Sequence, residues 1–379
     1  MPDFHITGAL ALTPDGQSGA ALGVSQGRLT DTRYGRAVDL PGWHLLPGIV
    51  DAHGDGFERH LAARRGALRD MTSGFLALDA ELAANGITTA MLAQFWSWEG
   101  GMRGPDFAKA MLAGLAEVRP RLTTDIRVQL RIEVHMMDDF AEIEEVIADH
   151  GIGYVVFNDH LPHDALAKGK RPPRLTGQAL KSGRNPEKHL ALMQSLHARR
   201  GEVPDAVAAL AARLRAKGVL TGSHDDRDAV ARRAAQTQGL MISEFPETLD
   251  AAQEALAQGA PVVMGAPNVM RGASHSGNVA ATEVVRAGLC TALASDYHYP
   301  SLVFAAQKLA PDMGLAAAWG LVSTGPAGML GLTDRGALAP GLRADLVAIN
   351  PATGRPGLTI VGGRIAHTDA AGAAALLQA

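Results

Sequence analysis

Histidine and carboxylate side chains recur in this chain where many of its short apolar segments end. His53 and Asp55 stand in "LPGIVDAHGDGFERH", residues 46–60. Glu133, with His135 close by, ends "DIRVQLRIE", and Asp159 and His160 follow "GIGYVVFN". His224, Asp225 and Asp226 follow "GVLTGS", Glu244 ends "GLMISE", Asn268 ends "APVVMGAPN", and Asp296 and His298 follow "CTALAS". Imidazole nitrogens and carboxylate oxygens are donors that divalent cations such as Zn²⁺ accept readily. His53 and Asp55 are two apart, so on an extended strand both face the same side, a spacing that suits chelation. Each such residue taken alone reads equally as a helix cap or a solvated loop residue. Capping does not explain why they recur at the same end of consecutive segments, and one or two bound divalent cations are therefore expected. "SHDDRDAV" also reads as a helix start with acidic residues in its first turn, so one of Asp225 and Asp226 is open to a capping role.

The elements that position these residues follow from the apolar pattern. Eight apolar runs, from "HLLPGIVDAH" to "CTALASDYHYP", alternate with stretches such as "DAVAALAARLRAKG". Near-continuous apolar runs suit strands buried on both faces, and the Ala, Leu and Arg-rich intervals suit amphipathic helices. An α/β fold, a (β/α)₈ TIM-like barrel over residues 47–332, is the first choice; a doubly wound open sheet shows the same alternation. Residues 1–46 and 333–379 are turn-rich and read as short strands pairing into one small β-sandwich built from both termini. In such a barrel the loops after the strands converge on one opening, which is where the His, Asp and Glu residues fall.

Charge narrows the partners. The formal net charge is -4, which gives no general attraction to nucleic acid or to an anionic membrane. Against that background, "KGKRPPRLTGQALKSGRNPEKH" carries Lys168, Lys170, Arg171, Arg174, Lys181, Arg184 and Lys188 with Glu187 as its one acid. The segment reads either as a clamp for a polyanionic small molecule, with Arg giving bidentate contacts to phosphate, or as a solvated loop. "GAPNVMRGASHSGNVAATE" gathers Asn268, Arg271, Ser274 and His275, donors suited to phosphate oxygens. Arg59 and His60 add further cationic groups beside the first motif. No P-loop, Rossmann glycine pattern or GxSxG elbow is present. Cys290 is the one cysteine and the N-terminus has no secretory pattern, so a cytoplasmic protein is expected. A homo-oligomer is left open.

"LLPGIVDAHGD" and "GALAPGLRADLVAIN" resemble the first-strand motif and the return to the sandwich of the amidohydrolase superfamily. "HGDGFERH", "NDHLP", "GSHDD", "SEFPET", "GAPNVMRGASHSGNV" and "LASDYHYPSL" together resemble, more narrowly, the amidohydrolases of the carbon-phosphorus lyase pathway of phosphonate utilisation. That resemblance implies a metal-dependent hydrolase that cleaves the α-β phosphoanhydride of alpha-D-ribose 1-methylphosphonate 5-triphosphate and releases diphosphate. It implies metal ligands at His53, Asp55, Glu133, His160, His224 and Asp296, with Asp55 standing where the superfamily's HxH motif has its second histidine. Asp296 would also accept the proton of the attacking water, and His275 would offset phosphoryl charge. Phosphate contacts would come from Arg59, His60, Asn268, Arg271, Ser274, Lys168, Lys170 and Arg171. The alternatives are an amidohydrolase that cleaves a C-N bond, as a cyclic amidase or deaminase does, and a noncatalytic barrel without its metal.

Overall fold

The computed structural model describes residues 3–61, 70–272 and 277–379. Two compact units make up the chain, the first of residues 1–92, 118–127 and 263–379 and the second of 93–117 and 128–262. Eight parallel strands are present, one in each expected segment. They are β1 (Ile49–Gly54), β2 (Ile87–Trp96), β3 (Asp125–Glu133), β4 (Tyr154–Asn158), β5 (Leu220–His224), β6 (Ile242–Glu244), β7 (Val262–Gly265) and β8 (Ala292–Ala294). Their order in the sheet is their order in the sequence, with helices between, and the fold is a (β/α)₈ barrel. Every residue of β1 and β2 is buried, which is why these strands read as continuous rather than alternating apolar runs.

In the first unit the barrel closes where Gly54 of β1 bridges in parallel to Asp296, just past β8. A Cβ at Gly54 would lie 2.8 Å from Asp51 Oδ2 and 2.9 Å from Ser295 Oγ, so the glycine of "HGD" permits this close approach. The terminal strands form a four-stranded sheet (residues 4–7, 22–25, 28–30 and 36–39) and a six-stranded one (10–13, 16–18, 44–47, 346–350, 355–361 and 364–368). The two ends of the chain meet directly where Leu346–Asn350 pairs antiparallel with His44–Pro47. Ile6, Val24, Leu45, Leu346, Leu358 and Ile360 share one buried apolar cluster, so both sheets close over a common core.

The second unit carries β4, β5, β6 and the carboxyl end of β3. Register pairs Glu133 with Asn158 and His224 with Glu244, which places these four side chains at the same level of the sheet. Helix Ala229–Thr237 is capped by Asp228, whose carboxylate accepts the Ala231 N–H at 2.8 Å. The capping role open to Asp225 or Asp226 thus belongs to a third acid, because only Asp228 takes the extended backbone of an N-cap directly before the helix. The basic segment is largely helical, through His163–Ala167, Leu175–Lys181 and Pro186–Ala198. Leu161, Leu166, Leu175 and Met193 bury it against Trp98. Among the described residues no helix is long and apolar enough to cross a membrane.

Candidate metal centre

In the second unit, β3 carries Gln129, Arg131 and Glu133 at alternate positions, so these side chains share one strand face and continue the alternation that starts at Asp125 and Arg127. All three are buried. Glu133 Oε2 accepts the Trp98 indole N–H at 3.1 Å and the His160 backbone N–H at 3.2 Å, and Glu133 Oε1 is in contact with His160 Nδ1. Burial disfavours a charged His160, but the hydrogen bond and charge of Glu133 outweigh it and raise the imidazole's pKa. Arg131 donates to Asn158 Oδ1 at 3.0 Å, lies 3.0 Å from His224 Nε2, and stacks on the Phe95 ring at 4.0 Å. Glu244 receives the Tyr154 hydroxyl at 2.9 Å and the Gln129 amide.

His224 and Glu244 bring ligand atoms within 4.8 Å of each other. Burial lowers the pKa of His224, which favours the neutral imidazole that metals bind. Its Nδ1 lies 2.9 Å from Asp225. Burial works against the Asp225 carboxylate, yet the charges of His224 and Arg131 hold it down at about 2. Asp225 and Phe245, immediately after β5 and β6, have left-handed backbone with φ of 58° and 52°. Such a conformation costs a non-glycine residue on the order of 1 kcal/mol and turns the chain sharply where the strands end. A cavity of about 390 Å³ opens here, lined in part by Asn158, Asp159, His160, His163, His224 and Asp225.

The first unit presents a matching strand end. His53 is fully buried, and its backbone carbonyl accepts the N–H of Asp296 at 3.0 Å. The Asp296 carbonyl in turn accepts the Asp55 N–H at 2.9 Å. Asp296 is also left-handed, with φ of 54°. Asp51, buried two residues before His53, accepts the Ser295 backbone N–H at 2.9 Å and the Ser295 hydroxyl at 2.5 Å, which fixes β1 to β8 beside both candidate ligands.

The donor chemistry fits a divalent cation. The expected ligands Glu133, His160 and His224 stand together in the second unit, and His53, Asp55 and Asp296 stand together in the first. A buried carboxylate such as Glu133 is costly without a compensating charge, which a cation supplies. The expected phosphate contacts have varied surroundings. Arg59 and His60 both pair with Glu81 of helix Met71–Ala84. Arg171 pairs with Glu187 at 2.8 Å, whereas Lys168 and Lys170 are exposed. Asn268, on helix Ala266–Arg271, accepts the Ala281 N–H at 3.0 Å. Arg271 donates to the Tyr297 hydroxyl at 3.1 Å. Ser274 and His275 lie outside the described residues.

Trp98 and Arg131 have site positions that the sequence reading does not assign, and Glu244, read there as a strand end, is not among the expected ligands. The period-two alternation of polar residues through "DIRVQLRIEV" is the signal that puts Arg131 on the same strand face as Glu133. Trp98→Phe removes the indole donor to Glu133 and is expected to weaken divalent-cation affinity about 10–100-fold. Competition against a chromogenic chelator reads this directly, and unchanged affinity would remove Trp98 from the centre.

Solved structures with this architecture include an amidohydrolase from an environmental sample of the Sargasso Sea, with a TM-score of 0.65 and 14% identity over 97% of this chain and 93% of that one. N-acetylglucosamine-6-phosphate deacetylase from Pasteurella multocida gives a TM-score of 0.62 at 10% identity over 97% of this chain and all of that one. No protein-family model matches the chain. The barrel with its two-terminus sandwich is thus the amidohydrolase fold. Alpha-D-ribose 1-methylphosphonate 5-triphosphate diphosphatase of Escherichia coli (strain K12) is 33% identical over 341 residues, 86% of this chain and 87% of that protein. This chain belongs to that diphosphatase family.

Proposed function

We propose that this protein hydrolyses the α-β phosphoanhydride of alpha-D-ribose 1-methylphosphonate 5-triphosphate, leaving the 5-phosphate and releasing diphosphate. The observation that carries this reading is the 33% identity to the Escherichia coli diphosphatase over 341 residues. His53, Asp55, Glu133, His160, His224 and Asp296 would hold one or two divalent cations, with zinc the expected ion. Bound there, a cation supplies Lewis acidity, bringing the pKa of a water toward about 7 and offsetting charge on phosphoryl oxygens.

The chain's own groups do the rest. Asp296 takes the proton of the attacking water, which enters in line at the α phosphorus as diphosphate leaves. Lys168, Lys170, Arg171 and Arg271 draw in the triphosphate, and His275 and Ser274 add donors. A phosphate would compete with Glu81 for Arg59 and His60. Trp98 couples the basic segment to the centre, since its carbonyl accepts from Arg184 while its indole donates to Glu133.

Phosphorus NMR of the protein with this triphosphate is expected to show diphosphate and the 5-phosphate in equal amounts. Stepwise orthophosphate would overturn the assignment, and ammonia release from a C-N substrate would favour the other amidohydrolase chemistry. Chelation is expected to abolish turnover, and full turnover in metal-stripped protein would sink the mechanism.

A further inference from the structure

A second cluster of metal-ligating side chains lies in the second unit, separate from the six residues above. It is built by His135, two residues beyond β3, and by Asp159 and His163, which follow β4. His135 has a side chain only 1% exposed, and neither of its ring nitrogens has a hydrogen-bond partner. Its Nε2 lies 3.3 Å from Asp159 Oδ1, a close contact without hydrogen-bond geometry. His163 Nε2 lies 3.1 and 2.9 Å from the two oxygens of the same carboxylate. One ligand atom from each of the three residues falls within 4.8 Å of the others.

We propose that His135, Asp159 and His163 form a second divalent-cation site of the zinc type. Two imidazole nitrogens and one carboxylate oxygen are an ordinary zinc donor set, and tetrahedral bonds of about 2.0–2.2 Å put neighbouring donors roughly 3.4 Å apart. The 3.3 Å contact of His135 with Asp159 is at that spacing, and the 3.1 and 2.9 Å contacts of His163 are a few tenths of an ångström shorter. A cation would also give the buried Nε2 of His135 a partner, and a ring nitrogen kept from water without one costs on the order of 1–3 kcal/mol. His163 Nδ1, turned away from Asp159, lies 2.7 Å from His197 Nδ1. That contact fixes the ring from behind, as the partners of metal-bound histidines do. Three protein donors leave a position for water or an anionic oxygen, and Asp159 and His163 border the cavity that also carries His160 and His224.

The test counts ions and does not depend on which reaction the protein catalyses. Metal-free full-length protein is loaded with Co²⁺ or Zn²⁺, dialysed and analysed for bound metal, with the visible ligand-field spectrum recorded for Co²⁺. His163→Ala and Asp159→Asn are each expected to hold one equivalent fewer than the wild type and to lose the corresponding tetrahedral Co²⁺ absorption. Glu133→Gln, which alters the other centre, is expected to keep that absorption. His197→Ala is expected to retain the equivalent with affinity weakened about 10–100-fold. Circular dichroism of each variant reports folding, and the partly exposed His163 and Asp159 serve because His135→Ala alters a buried position. The same metal count and spectrum in wild type, His163→Ala and Asp159→Asn would overturn the proposal.

Discussion

Asp296→Asn is expected to lower turnover by roughly 10²–10⁴-fold while leaving the fold in place. The size follows from the two roles proposed for this carboxylate, proton acceptor and cation ligand. The tolerance follows from the backbone. Asp296 sits at φ of 54°, a left-handed conformation that asparagine adopts more readily than almost any other side-chain-bearing residue. Its N–H donates to the His53 carbonyl and its carbonyl accepts from Asp55, and both bonds survive the substitution. Single-turnover rates on the triphosphate, together with thermal unfolding, separate the two effects. Activity unchanged in Asp296→Asn would refute its role as proton acceptor.

Arg232→Met is expected to destabilise the protein by about 3–5 kcal/mol, the largest effect on folding anticipated for any position discussed. Arg232 is fully buried on helix Ala229–Thr237 and donates to Ser223 Oγ at 2.7 Å, Asp226 Oδ2 at 3.2 Å and Gln236 Oε1 at 3.1 Å. Asp226 Oδ2 also accepts the hydroxyls of Ser223 at 2.8 Å and Ser243 at 2.6 Å. Methionine keeps much of the volume but leaves the Asp226 carboxylate buried without its counter-charge. Ser223 and Ser243 directly precede His224 and Glu244, so the network fixes the ends of β5 and β6 from below, and activity is expected to fall with stability. Replacing both members, as Asp226→Leu with Arg232→Met, is expected to recover much of the loss, because an apolar pair carries no desolvation cost. Urea midpoints for the single and double variants decide this. A cost under about 1 kcal/mol for Arg232→Met would show that the pair is structurally dispensable.

The sequence determined the barrel and the ends at which its chemistry lies. Strands buried on both faces are largely apolar, so "GITTAMLAQF" or "GIGYVVFN" stands out from the helices around it, and the His, Asp and Glu residues that follow six of the eight runs fall at one end of the strands. The role of Gly54 is not legible in this way, because the need for a residue without a side chain appears only where β1 meets Asp296, just past β8. Partner choice is another matter. Asp225, Asp226 and Asp228 are equivalent in "SHDDRDAV", yet one turns left-handed beside His224, one is buried against Arg232 and the third caps a helix.

Only the tertiary structure decided such pairings, since each depends on atoms far apart in the chain. Glu81 reaches Arg59 and His60 across more than twenty residues, and Trp98 joins Glu133 to Arg184. His135, Asp159 and His163 belong to the loops after two different strands and meet only because β3 and β4 lie side by side. Apolar periodicity is a local property of the chain and survives in the sequence. Contacts between loop side chains depend on strand register and on the left-handed turns at Asp225, Phe245 and Asp296, which aim those groups and leave no periodic trace.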